Sequence, residues 1–272
     1  MEALPGRLIY GTAWKEDRTA ACVAQALGAG FRAIDTANQR KHYHEVGVGE
    51  ALAPWLAAGR RGELWLQTKF TYADGQDARL PYDKAAPVAR QVEQSCTSSL
   101  AHLGVTRLDS LLLHGPSRGD RLGRDDHDAW RAMEALVESG AVTAIGISNV
   151  NATQVDELAA FARVAPAYVQ NRCYASRRWD ADVRAACARH GIAYQGFSLL
   201  TANRAVVASP AVAAIAQRRG VTPAQVVLRF AQQRGMIALS GTADARHARD
   251  DVALASFTLD HAELAAVERV TA

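Results

Sequence analysis

Eight short apolar runs recur along the chain: RLIYG at 7–11, FRAID at 31–35, LWLQTK at 64–69, LDSLLLH at 108–114, AVTAIGIS at 141–148, AYVQN at 167–171, IAYQGFS at 192–198 and MIALSG at 236–241. Nearly continuous apolar strands are what a parallel sheet buried on both faces requires. Helical patterns fill the spaces between them, over 19–30, 85–104, 127–140, 151–164, 180–191 and 222–235, and several end in glycine, as helix C-termini favour. Eight strand and helix units close into a (β/α)₈ barrel, an α/β fold of the TIM type. An open doubly wound sheet is the alternative, but no Gly-x-Gly-x-x-Gly follows the first strand. A length of 272 residues suits one barrel, so residues 1–272 are expected to form a single domain.

With 49% apolar and 22% charged residues, the composition is that of a soluble globular chain. A net charge of +3 with both signs well mixed argues against nucleic-acid or membrane partners and leaves room for small anionic ligands. The N-terminal MEALPGRLIYG carries no long apolar run behind a basic start, and no segment reaches membrane-spanning length, so the cytoplasm is the expected compartment. Cys22, Cys96, Cys173 and Cys187 lie far apart without a Cys-x-x-Cys pair, which predicts reduced, buried thiols rather than zinc ligands or disulfides.

Polar residues fall where the strands end: Asp35, Lys69, His114, Ser148 with Asn149, Gln170 with Asn171, and Ser198. In a (β/α)₈ barrel the C-terminal strand ends form the active-site mouth. Asp35, Lys69 and His114 end three successive strands, and Tyr43 follows on the loop after the second. A free phenol holds its proton until about pH 10. A neighbouring ammonium lowers that value, and a carboxylate keeps the ammonium charged and oriented, so Asp35 is expected to hold Lys69, and Lys69 to tune Tyr43. His114 is placed to donate to a substrate carbonyl. His42 and His44 read as solvent-facing. The longest irregular stretches, 70–82 and 115–128, are candidate pocket walls.

Together GFRAIDTA, EVGVGEAL, LWLQTKF, LDSLLLHGP and AIGISN, in that order, resemble the aldo-keto reductase family over essentially the whole chain. The resemblance implies reduction of a small carbonyl substrate, an aldehyde or ketone, by hydride from NADPH, with NADH as the alternative. It implies a catalytic tetrad of Asp35, Tyr43, Lys69 and His114, with Tyr43 as general acid. Ser148, Asn149 and Gln170 would hydrogen-bond the nicotinamide carboxamide. Phe197 would stack on the ring where the family usually has tyrosine, with Ser198 beside it. Gly11 and Thr12 would line the floor, and Trp14 would form a substrate wall. Ser240, Gly241, Thr242, Arg246, His247 and Asp251 would hold the rest of the cofactor, and no metal is implied.

Three departures stand out. Tyr43 comes three residues after the family's usual position, which Arg40 holds, and Glu45 is displaced too, so the loop reads as lengthened. With the extra residues bulging outward Tyr43 reaches the site; otherwise His42 takes the acid's place. ALSGTADARHARDD replaces the family's Ile-Pro-Lys-Ser and later Arg and Asn, with Leu239 where a phosphate-binding lysine is usual, so Arg246, His247 and Arg249 are left to compensate. VQNRCYAS lacks the usual glutamate and His-Pro after the glutamine. Competing readings are a nicotinamide-binding barrel with little turnover, a metal-dependent hydrolase using His42-x-His44, and a Schiff-base aldolase using Lys69.

Overall fold

All eight apolar runs form strands in the computed structural model, which describes residues 7–270. The strands are β1 (Leu8–Gly11), β2 (Ala33–Asp35), β3 (Trp65–Phe70), β4 (Leu108–Leu113), β5 (Val142–Ser148), β6 (Tyr168–Arg172), β7 (Ala193–Phe197) and β8 (Ile237–Ser240). They pair in parallel in chain order, and β8 closes on β1. The observed architecture is therefore the expected (β/α)₈ barrel.

Helices α1 (Thr19–Ala29), α2 (Glu45–Ala57), α3 (Val88–Leu103), α4 (Arg124–Glu138), α5 (Ala152–Phe161) and α6 (Ala181–Arg189) follow β1 to β6 in turn. Between β7 and β8 lie α7 (Arg204–Val207), α8 (Pro210–Arg219) and α9 (Pro223–Gln233), and after β8 come α10 (Ala245–Val252) and α11 (His261–Arg269). No described helix is long and apolar enough to cross a membrane.

Two elements depart from the predicted pattern. Helix α8 buries only Val212, Ile215 and Ala216, a stripe too narrow to stand out in sequence, and it packs on α9 and α11 rather than on the barrel. Part of the supposed loop 115–128 is helical, because α4 starts at Arg124. There the Asp126 carboxylate accepts from the Gly123 amide at 2.8 Å, and Asp125 and Asp126 place negative charge in the first turn. Carboxylates at that end satisfy free amides and complement the helix dipole.

Strand side chains alternate between two environments. Those facing the helices, such as Ile34, Leu66, Leu111, Ile145 and Val169, join the main apolar core. Those facing the barrel axis stack in layers. The lowest is apolar, with Ala33, Trp65 and Tyr168, and the Trp65 and Tyr168 rings meet edge to face at 5.5 Å. Two residues further along each strand come Asp35, Gln67, Gln170 and Gln195, all buried. Two more bring Lys69, Arg172 and Phe197 to the rim. All four cysteines are free and buried, and burial pushes the Cys96 thiol up to about 11.

Helices α2 and α3 touch most closely at Gly49, where an added Cβ would sit 2.0 Å from the His102 carbonyl oxygen. Overpacking of this kind costs about 1–3 kcal/mol, so Gly49→Ala is expected to lower the calorimetric Tm by roughly 2–6 °C. An unchanged Tm would show that the helices separate freely.

Candidate active site

The floor of the site is a buried ion pair. Asp35 ends β2 opposite Gln67, and Lys69 lies two residues further along β3 on the same face. The Lys69 ammonium donates to both Asp35 carboxylate oxygens at 2.6 Å and to the Thr36 carbonyl at 2.8 Å, which commits all three of its N–H bonds. Asp35 Oδ1 also accepts from Gln67 Nε2 at 2.7 Å and from Gln170 Nε2 at 3.1 Å. Gln195 completes the layer, accepting from both glutamines and donating to Gln67 Oε1 at 3.0 Å. A charge pair out of water is tolerable only with such additional donors. Burial lowers the Lys69 pKa, and the Asp35 carboxylate opposes that shift.

Above the floor the chain doubles back. The amides of His42 and Tyr43 both donate to the Gln39 carbonyl at 3.0 Å, forming a turn that puts Arg40 and Lys41 outside and swings Tyr43 inward. Gln39 Nε2 donates to the Gly75 carbonyl at 2.6 Å, and Asn38 Nδ2 to the Ser95 carbonyl at 3.0 Å, which ties this loop to its neighbours. The Tyr43 ring meets His114 edge-on at 5.9 Å, and the Lys69 ammonium lies 5.3 Å from its centroid.

One expectation fails here. The phenol pKa is raised, by burial first and by the Asp35 carboxylate second, with Arg172 pulling it down. The Lys69 ammonium, 5.3 Å from the ring centroid, does not offset that burial.

His114 is neutral. Burial, then the Lys69 and His42 charges, push its pKa down to about 3. Its Nδ1 lies 2.6 Å from the Thr71 hydroxyl, which has no other acceptor among the described residues. The arrangement that satisfies both groups has the hydroxyl donating to Nδ1, leaving the proton on Nε2.

These groups line a groove of about 1710 Å³ across the C-terminal rim. Trp14 stands at one edge, 67% exposed, stacked on His42 at 4.0 Å. His42 is thus half-buried in the wall, not turned to solvent. Gly11, Ser148, Asn149, Gln170, Phe197, Ser198, Ser240, Gly241, Thr242, His247 and Asp251 also line the groove. Ser148 donates to the Gln170 carbonyl at 2.6 Å, and Asn149, at φ 57°, donates to the His114 carbonyl at 2.8 Å. Gln170 Oε1 has no protein donor among the described residues, although the residue is only 3% exposed. It is an acceptor open to the groove.

Two expected cofactor residues lie elsewhere. Thr12 is fully buried and fastens β1 to β2 through a 2.9 Å bond from its hydroxyl to the Asp35 carbonyl. Arg246 is exposed outside the groove wall, as is Arg249. The Asp244 carboxylate caps the helix start instead, accepting from the Arg246 and His247 amides at 2.8 and 2.9 Å, so those amides are not free for a phosphate. Asp251 is buried, and that raises its carboxyl to about 6 even though Ser240 donates to it at 2.5 Å.

The sequence matches the model of the aldo/keto reductase family over residues 7–272. The chain belongs to the aldo/keto reductase family. Members of this family are NAD(P)H-dependent oxidoreductases acting on carbonyl groups. An aldo-keto reductase of Mycolicibacterium vanbaalenii is 31% identical over 90% of this chain and 81% of its own length. Mouse aldo-keto reductase family 1 member A1 is 29% identical over 92% of this chain and 82% of its own. Among solved structures, the aldose reductase of Schistosoma japonicum superposes with a TM-score of 0.82 at 25% identity, covering 96% of this chain and 87% of that one.

Some residues of this reductase site escaped the reading of strand ends. Gln67 and Gln195 sit two residues below Lys69 and Phe197, so the strand alternation that marks the rim marks them as well. Thr71 follows β3 and Gln39 lies on a loop; no local pattern distinguishes either.

Two predictions follow from this geometry. Thr71→Val should free Nδ1 and give mixed His114 tautomers in ¹⁵N NMR, and Thr71→Ser should restore one; a single unchanged tautomer in the valine variant would refute the assignment. The raised Asp251 carboxyl contributes stability that is complete below its ordinary value of 3.8 and is lost as pH rises through about 6. Asp251→Asn should therefore melt higher than the parent at about pH 8, by up to about 3 kcal/mol, and level with it near pH 4.

Proposed function

We propose that this reductase converts an aldehyde or ketone to an alcohol at the rim of the barrel, with Tyr43 as general acid. The observation that carries the reading is the convergence of Tyr43 and His114 in one groove directly over the buried Asp35–Lys69 pair. When bound, a reduced nicotinamide dinucleotide supplies the hydride. Gln170 Oε1 would accept from its carboxamide, Ser148 and Asn149 would shape that end of the groove, and Phe197 would offer its ring an apolar face.

His114 Nε2–H donates to the substrate carbonyl and fixes it toward Tyr43. The phenol gives its proton to the developing alkoxide. With its pKa raised, Tyr43 remains protonated across the neutral range. The phenolate left behind lies near the cations of Lys69 and Arg172.

NADPH is the family's cofactor. NADH is a second reading, favoured because Arg246 and Arg249 lie outside the wall while Asp250 and Asp251 line it. Fluorescence-quenching titrations with each cofactor measure the preference.

Tyr43→Phe is expected to cut turnover about 10²- to 10⁴-fold and to leave cofactor affinity nearly intact. Retained turnover with lost binding would sink the acid assignment. The kcat profile of the parent should also lack a histidine limb between about pH 5 and 8, because His114 protonates only at about 3.

A further inference from the structure

The axis-facing row of β6 climbs from Tyr168 in the apolar layer, through Gln170 in the glutamine layer, to Arg172 at the rim. Arg172 pairs in register with Phe197 of β7, and its guanidinium lies over that ring at 5.6 Å from the centroid. Its one polar contact among the described residues is a 3.5 Å bond to the Tyr174 hydroxyl, at the outer limit for a hydrogen bond. No described carboxylate pairs with it.

Three acids of the groove wall are engaged elsewhere. Asp35 is held by Lys69, Asp180 accepts from Asn171 and Tyr194 at 2.9 and 2.8 Å, and Asp182 pairs with Arg178 at 2.8 Å. The mouth of the groove thus presents an uncompensated cation at the Phe197 level, with its charge felt at the Tyr43 phenol. A guanidinium there offers a planar fork of donors that matches a carboxylate bidentately.

We infer that Arg172 reads an anionic group on the substrate, so that the preferred carbonyl compounds carry a carboxylate at the end remote from the reacting carbon. This rests on the reductase reading above. A cofactor phosphate is the other anion of this chemistry. The location favours the substrate, because Arg172 stands over Phe197 on the barrel rim and not at the end of the groove between β8 and α10.

The test compares 4-carboxybenzaldehyde with 4-methylbenzaldehyde at saturating NADPH. The kcat/KM ratio should favour the carboxylate by at least about tenfold, as a hydrogen bond to a charged group implies. In Arg172→Leu the ratio should fall to about one, mainly through a higher KM for the charged aldehyde, and Arg172→Lys should keep part of it. Benzoate binding, followed by calorimetry, needs no turnover and should weaken at least about tenfold in the leucine variant.

A ratio near one in the parent, a ratio surviving in Arg172→Leu, or benzoate binding equal in both would overturn the inference. So would an equal loss for both aldehydes accompanied by weaker NADPH binding, which would assign the guanidinium to a cofactor phosphate. Failure of the parent to oxidise NADPH with either aldehyde, with benzoate binding still dependent on Arg172, would instead count against the reductase reading alone.

Discussion

A carboxylate and an ammonium 2.6 Å apart at the centre of a closed barrel set the terms for everything around them. Neither group reaches water, so each lone pair and N–H bond must find a partner in protein. The three glutamines answer that need with neutral donors and acceptors. They fill the layer without adding charge, two of them, Gln67 and Gln170, donate to Asp35 Oδ1, and one amide oxygen, on Gln170, is left open to the groove. Removing either charge would leave the other stranded, at a cost of about 3–5 kcal/mol. Fold and site therefore share the same few atoms.

The barrel itself was legible because its signals are repeated. Apolar runs recur eight times, and six of them end on polar residues, so any single ambiguous strand is corrected by its neighbours. Asp35, Lys69 and His114 were readable for the same reason. Tyr43 was named as well, but its placement was not legible, because it depends on how the chain turns at Gln39, and two main-chain bonds to one carbonyl leave no mark in residue types. The lysine's effect on the phenol was misjudged for a related reason. Sequence places a cation near a phenol but does not show how deeply the fold buries that phenol.

The end of the groove near α10 shows the same limit in electrostatic form. A cluster of basic residues reads as a phosphate site, yet Arg246 and Arg249 project outside the wall, and Asp244 takes the helix amides for itself. Charge composition is visible in a sequence; the direction in which each charge points is a property of helix phase and capping. The same reasoning separates Arg172, which strand alternation turns into the barrel mouth, from arginines of equal exposure that face solvent.

Trp14 closes one side of the groove, with its indole two-thirds in water and only the His42 imidazole behind it. An apolar face left wet at the entrance costs nothing until something covers it, and then each Å² shielded contributes about 25 cal/mol. A flat, greasy guest resting against that indole would dry the entrance with its own body. In this barrel the visitor acts as its own door.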